Sequence, residues 1–161
     1  GTCFEVLLDL RISEKTDADC NRKKAEKEET DTHPLKGLRF LCAEDNELNA
    51  EILKELLHME GADCVICPNG RSVVDTFEQS VPGDYDMILM DVQMPVMNGY
   101  EATKAIRKGK HPLARTIPII AMTANAFSED VQKSLSAGMN AHISKPMDMK
   151  KLARVVQKER M

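Results

Sequence analysis

Met87-Ile88-Leu89-Met90-Asp91-Val92-Gln93-Met94-Pro95 decides how the chain folds. Its first four residues are a continuous apolar run, the mark of a central strand buried on both faces of a parallel sheet. Asp91 closes the run, with Met-Pro three residues on, so an acid stands at the strand's carboxyl end. Working outward, apolar strands alternate with amphipathic stretches. Upstream, 38–43 and 62–67 read as strands. Between them, 46–60 carries Leu48, Ile52 and Leu56, and Asn49, Leu53 and Leu57, at a spacing of four, which is a helix ended by Gly61. After the turn Pro68-Asn69-Gly70, a helix bearing Val73, Val74 and Phe77 runs to the break at Pro82-Gly83. Downstream, Asn98 caps a helix reaching about Lys108, with Glu101 in its third position. A fourth strand is expected over 116–122 and a helix over 127–137, stopped by Gly138. A short strand over 141–144 and a helix capped by Asp148 and bearing Leu152, Val155 and Val156 complete the series. Five strands alternating with five helices predict an α/β fold, a parallel sheet with helices on both faces.

Composition narrows the function. The 161 residues carry a net charge of −4, so wholesale nucleic-acid binding by a basic surface is not expected. No apolar run approaches the ~18–20 residues of a membrane span, and the opening residues lead us to expect no signal peptide. Five cysteines at unrelated spacings fit a reduced, cytoplasmic setting better than a disulfide framework. Cys64 and Cys67 form a C-x-x-C, but residues three apart on a strand face opposite sides, so core filling is the better reading. Residues 1–12 alternate Phe4, Val6, Leu8, Leu10 and Ile12 with mostly polar partners and read as one strand. Twelve of the nineteen residues over 13–31 are charged and none is Val, Ile, Leu, Met or Phe, which reads as a linker extending to about residue 34. The main domain is expected over 35–161.

In a parallel α/β sheet the working site lies beyond the carboxyl ends of the strands. There stand Glu44-Asp45 after strand one, Asp91 at strand three, Thr123 at strand four and Lys145 after strand five. Three carboxylates ~4–5 Å apart repel by roughly 3–4 kcal/mol per pair at an effective dielectric of ~20. Such a cluster needs a cation, and oxygen ligands suit Mg²⁺ or Mn²⁺ rather than zinc. A divalent ion together with Lys145 brings the total charge near zero, ready for an incoming phosphoryl group. Asp91 is then a candidate nucleophile that would form an acyl phosphate.

Glu44-Asp45, Asp91 through Gly99, Thr123-Ala124 and Lys145-Pro146 resemble, in that order, the receiver domain of two-component response regulators. The resemblance implies a flavodoxin-like (βα)5 three-layer sandwich with strand order 2-1-3-4-5. It implies that Asp91 is the phosphoacceptor, that Glu44 and Asp45 hold Mg²⁺ with Asp91 and the Gln93 carbonyl, and that Thr123 is the switch hydroxyl. The Ala124 backbone N–H and Lys145 would bind phosphoryl oxygens, and Lys145–Pro146 would be cis. Gln93 and Asn125 would set how quickly water removes the phosphoryl group. One departure is His142, where the family often has Tyr or Phe; 138–143 resembles receivers attached to hybrid sensor kinases. Residues 1–8 are similar to the closing strand of a histidine-kinase ATP-binding domain. The resemblance therefore implies the C-terminal piece of a hybrid sensor histidine kinase, whose parent could be membrane-anchored. Its donor would be a phosphohistidine domain of the parent, and its partner a histidine-phosphotransfer protein.

Three rival functions fit the residues less well. An aspartate-nucleophile phosphatase wants a second acid two residues after the nucleophile, where this chain has Gln93. A flavin-mononucleotide binder wants a hydroxyl- and Gly-rich loop after strand one, where Glu44-Asp45-Asn46 would repel the phosphate. A degenerate receiver acting only as an interaction module would not need the full set of phosphorylation residues.

Overall fold

The computed structural model describes residues 33–124 and 128–160. The chain divides into Gly1–Pro34 and Leu35–Met161, and the second unit holds all the described strands and helices. The strand expected over 1–12 and nearly all of the charged segment after it lie outside the described residues.

Strands β1 (Arg39–Ala43), β2 (Asp63–Cys67), β3 (Met87–Asp91), β4 (Ile119–Thr123) and β5 (Ala141–Ser144) form one five-stranded sheet. Its order is β2-β1-β3-β4-β5, and every pairing is parallel. Helices α1 (Glu47–Met59), α2 (Gly70–Gln79), α3 (Gly99–Lys108), α4 (Ser128–Ala137) and α5 (Met149–Arg160) follow the strands in turn. This is the expected fold. The sheet's two-residue period sends Leu41, Ala43, Ile88, Met90, Ile119 and Ala121 to one face, against Val73 and Phe77 of α2 and Ile106 of α3. The alternate residues, Phe40, Cys42, Met87, Leu89, Ile120 and Met122, meet Leu53 and Leu57 of α1 and Leu152 and Val156 of α5. Every residue of β3 and β4 is buried. Their apolar runs do not alternate because both faces are core.

Two details have physical reasons that lie beyond the sequence pattern. The fourth strand begins at Ile119, not at 116. Thr116 and Ile117 donate their amides back to the Leu113 carbonyl in a turn. Pro118 has no N–H to give the ladder, and only its carbonyl pairs, with the Ile88 amide at 2.9 Å. In α1 it is the row Leu53 and Leu57 that faces the sheet, whereas Leu48 and Ile52 face solvent. A spacing of four identifies a helix but does not say which of two apolar rows is buried.

Arg107, at the end of α3, closes the opposite end of the molecule. Its guanidinium donates to the carbonyls of Gly138 and Ala114, each at 2.9 Å, and to Asn140 Oδ1 at 2.8 Å. The same Asn140 oxygen accepts the Ile119 amide at 3.0 Å. Three charge-assisted bonds thus tie the end of α3 to the entries of β4 and β5. Among the described residues no helix is long and apolar enough to cross a membrane.

Candidate functional site

The carboxyl ends of β1, β3, β4 and β5 meet as the topology requires. Glu44 follows β1 and is only 4% exposed. Its amide donates to the Cys67 carbonyl at 3.0 Å, which holds it beside the end of β2. Glu44 Oε1 accepts the Asn46 amide at 3.3 Å. The N-cap of α1 is Asn46, whose side chain accepts the Asn49 amide at 3.1 Å. Capping therefore engages neither Glu44 nor Asp45, although either acid could have served.

Asp91 ends β3 and is 5% exposed. The Gln93 amide donates to its Oδ1 at 3.2 Å. The chain then turns back, the Gly99 amide donating to the Val92 carbonyl at 2.9 Å. A Cβ on Gly99 would run into the Asp91 carbonyl oxygen, so only glycine lets α3 start this close to the strand end. The capping box expected at Asn98 and Glu101 is present. Lys145 leaves β5 with its amide on the Thr123 carbonyl at 2.7 Å, and the Lys145–Pro146 bond is cis. The ammonium reaches Glu44 Oε2 at 2.8 Å and Asp91 Oδ2 at 2.9 Å.

One oxygen each of Glu44, Asp45 and Asp91 lies within 4.8 Å of the others. Three carboxylates against one ammonium leave the cluster negative. Burial pushes the Asp91 carboxyl up to about 6, and the Glu44 charge adds to that, while Lys145 and the Gln93 amide pull it back. Burial works against the Lys145 ammonium, but Glu44 and Asp91 outweigh it and hold Lys145 above the ordinary lysine value. An all-oxygen set of this charge fits a small hard divalent cation.

The remaining predicted residues stand close by. Thr123 is buried at the end of β4, one position beyond the Met122 that pairs with Asp91. Ala124 follows it and is exposed. Gln93 lines an open cavity of about 570 Å³ with Asp45, Asn98, Tyr100, Asp130 and Lys133. Asn125 lies outside the described residues. His142 is half-buried on β5 and pairs with Ala121, on the sheet face that Thr123 also shares. His58 is exposed, as expected. Cys64 and Cys67 do pack on opposite faces of the sheet.

Two features escaped the sequence reading. His111 is buried against the Phe77 ring, centroids 4.2 Å apart, with Nδ1 accepting the Leu113 amide at 3.1 Å. It braces the start of the α3–β4 connection and takes no part in the site. A groove of about 390 Å³ adjoins the site, lined by Ile52, Leu53 and Leu56 of α1 and by Pro146 and Met147, with Glu44 and Lys145 in its wall. The apolar row of α1 was the signal for it.

Comparison with known proteins agrees with this geometry. The family model for the response regulator receiver domain matches residues 40–157. A probable histidine kinase 2 of Oryza sativa is 37% identical over 134 residues, covering 76% of this chain and 13% of that protein. The chain thus spans a small part of the curated relatives it matches. Among solved structures, the receiver domain of a Pseudomonas aeruginosa sensor histidine kinase, with a magnesium ion coordinated in its active-site cleft, superposes with a TM-score of 0.67. It is 37% identical, and the match covers 76% of this chain and 96% of that one. The receiver domain of the Saccharomyces cerevisiae response regulator Ssk1, crystallised with the histidine phosphotransfer protein Ypd1, gives a TM-score of 0.66 at 27% identity. That match covers 77% of this chain and 89% of that one.

Proposed function

The chain belongs to the response regulator receiver family, and from that premise we propose that it accepts a phosphoryl group from a phosphohistidine protein onto Asp91. The observation that carries this reading is the Lys145 ammonium bridging Asp91 and Glu44 at 2.9 and 2.8 Å within a buried acidic cluster. A structural ion pair would need one carboxylate; this ammonium is shared between two, with a third carboxylate near by. Glu44, Asp45 and Asp91, with the Gln93 carbonyl, would hold Mg²⁺. When bound, the ion would supply positive charge for phosphoryl oxygens as they approach.

The chain's own groups do the rest. One Asp91 oxygen attacks phosphorus, the P–N bond to the donor imidazole breaks, and an acyl phosphate forms. The imidazole nitrogen recovers its electron pair. Lys145 pairs with one phosphoryl oxygen, as it now pairs with Asp91. The Thr123 hydroxyl and the Ala124 N–H receive another, and the Thr123 loop moves with it. That motion shifts a pre-existing equilibrium of the face formed by α4, β5 and α5.

The donor docks over the apolar groove beside Lys145, which Ile52 lines, with exposed Leu48 one turn before it on α1. A helical partner carrying its histidine on one face would bury both side chains. The chain is then a receiver of a larger hybrid sensor histidine kinase working in the cytoplasm, passing the phosphoryl group to or from a histidine-phosphotransfer protein. A degenerate, binding-only receiver is disfavoured because Glu44, Asp45, Asp91, Thr123 and Lys145 are all present and converge. The test is transfer from a phosphorylated histidine-phosphotransfer protein in the presence of Mg²⁺. Label should move to the wild-type chain and not to Asp91→Asn. Equal labelling of both would overturn the assignment.

A further inference from the structure

Away from the phosphoryl site, two thiols meet between the edge strand β2 and its neighbour β1. Phe40 pairs with Cys64 and Cys42 with Ile66, so Cys42 and Cys64 lie on the same sheet face, one diagonal step apart. Burial raises the Cys42 thiol, and the neighbouring Cys64 adds to that. Cys42 is wholly buried, whereas Cys64 is half-buried and opens into a cavity of about 260 Å³ that Phe40, Asp63 and Tyr85 also line. One member of the pair is therefore reachable by a small molecule and the other only through its partner. Cys67 is on the opposite face, its sulfur 3.6 Å from Thr76 Oγ1, and cannot join them.

We propose that Cys64 and Cys42 are an oxidative modification site, in which a small hydroperoxide is reduced at Cys64 and Cys42 resolves the product into a disulfide between β1 and β2. The Cys64 thiolate attacks the peroxide and the O–O bond breaks. Sulfur is oxidised to a sulfenic acid, and the leaving oxygen takes up a proton. The Cys42 sulfur then attacks the Cys64 sulfur. An S–S bond forms, and the departing hydroxyl leaves as water with the Cys42 proton. With hydrogen peroxide, two thiols and one oxidant give one disulfide and two waters.

Three features suit Cys64 to the first step. The neighbouring Cys42 holds the Cys64 thiol below the ordinary cysteine value; burial works against this, Lys54 works with it and Asp63 opposes it. Cys64 is half-buried and lines a surface cavity. Its strand has a neighbour on one side only, so β2 can move. Movement is required, because diagonal residues on adjacent strands stand ~7–8 Å apart at Cα and a disulfide spans about 4.4–6.8 Å. The two strands already stand at ladder spacing, ~4.8 Å, so closing the bond slides β2 along β1. These are the strands whose ends carry Cys67 and Glu44, joined at 3.0 Å. The thiol chemistry does not depend on phosphoryl transfer at Asp91.

The test is peptide mapping of the full reduced chain after hydrogen peroxide treatment and alkylation. Cleavage after Arg39, Lys54 and Arg71 puts Cys42 in peptide 40–54 and Cys64 with Cys67 in peptide 55–71. The expected product is these two peptides linked, ~2 Da below their summed thiol masses, with fragmentation placing the bond at Cys64. Alkylation of Cys64 should fall at least tenfold while Cys67 is unchanged. In Cys42→Ala, the sulfenic acid should persist at Cys64 and be captured by dimedone. Cys64 remaining fully alkylatable, or a bond from Cys64 to Cys3 or Cys20, or one placed at Cys67, would overturn the proposal. The wild-type map stands even if the buried Cys42→Ala substitution prevents folding.

Discussion

Around the end of β1 the ordinary partition between inside and outside is reversed twice. The carboxylates of Glu44 and Asp91 are buried, while Leu48 and Ile52, on the helix that starts three residues after Glu44, are 66% and 48% exposed. Buried acids are costly unless paired, and large exposed apolar side chains beside a groove leave area unburied. The first reversal is partly offset by Lys145 and the second by nothing within the described residues. Glu44 directly follows β1, and Leu48 and Ile52 stand in the first two turns of α1. Each reversal prepares the molecule for something that arrives from outside. The acids await a cation and a phosphoryl group, and the leucine row awaits an apolar partner surface.

Denying the acids their cation should do the most damage. Chelating divalent ions, or Asp45→Ala, should slow phosphoryl adduct formation at least 100-fold, about 2.7 kcal/mol of barrier. Unchanged rates in chelator would show that the acidic cluster is a structural ion-pair network.

Next comes the cost of burial itself. With the Asp91 carboxyl at about 6 against an ordinary 3.8, the folded state binds more protons than the unfolded one between those values. The Asp91 contribution to cation-free stability is therefore full below pH ~4 and is lost as pH rises through about 6. Asp91→Asn removes this loss. It should stabilise the cation-free protein by on the order of 3 kcal/mol at pH 7.5, with the gain shrinking toward zero at pH 4. Urea unfolding at the two pH values in chelator checks this, and an equal gain at both would refute the burial account.

The second reversal is tested by Leu48→Glu. Transfer from a phosphohistidine protein should weaken about tenfold, roughly 1.4 kcal/mol. The rate with acetyl phosphate should hold, and stability should move by less than ~0.5 kcal/mol because the side chain is mostly in solvent. Equal loss with both donors would place Leu48 in the chemistry rather than at the interface.

A subtler change concerns the rim between the two regions. Val96 sits at φ 68 in the loop after Asp91, a left-handed conformation that a β-branched residue adopts at a cost. Val96→Gly should raise stability by about 0.5–1 kcal/mol in denaturant unfolding, and a loss would contradict strain at that position.

The first reversal was more legible in the sequence than the second. Asp91 announces itself because an acid directly after Met87-Ile88-Leu89-Met90 cannot face solvent from mid-strand and must stand at the sheet's end. Lys145 and Glu44 follow from the same strand-end logic, and all three meet as expected. Leu48 and Ile52 were visible only as helix periodicity. Which of α1's two apolar rows faces the sheet depends on the rotation of α1 against Phe40 and Leu89, a tertiary quantity. The late start of β4 was readable in hindsight, since Pro118 cannot donate to the ladder. His111 was not, because its partners Phe77 and Leu113 are brought to it by the fold.

Whether the buried acid at residue 91 carries phosphorus is open to a direct experiment, intact-mass analysis after incubation with Mg²⁺ and acetyl phosphate. A single adduct of ~80 Da on the wild-type chain, absent from Asp91→Asn, is the expected outcome. No adduct on the wild type, or the same adduct on Asp91→Asn, would refute phosphorylation at that carboxylate.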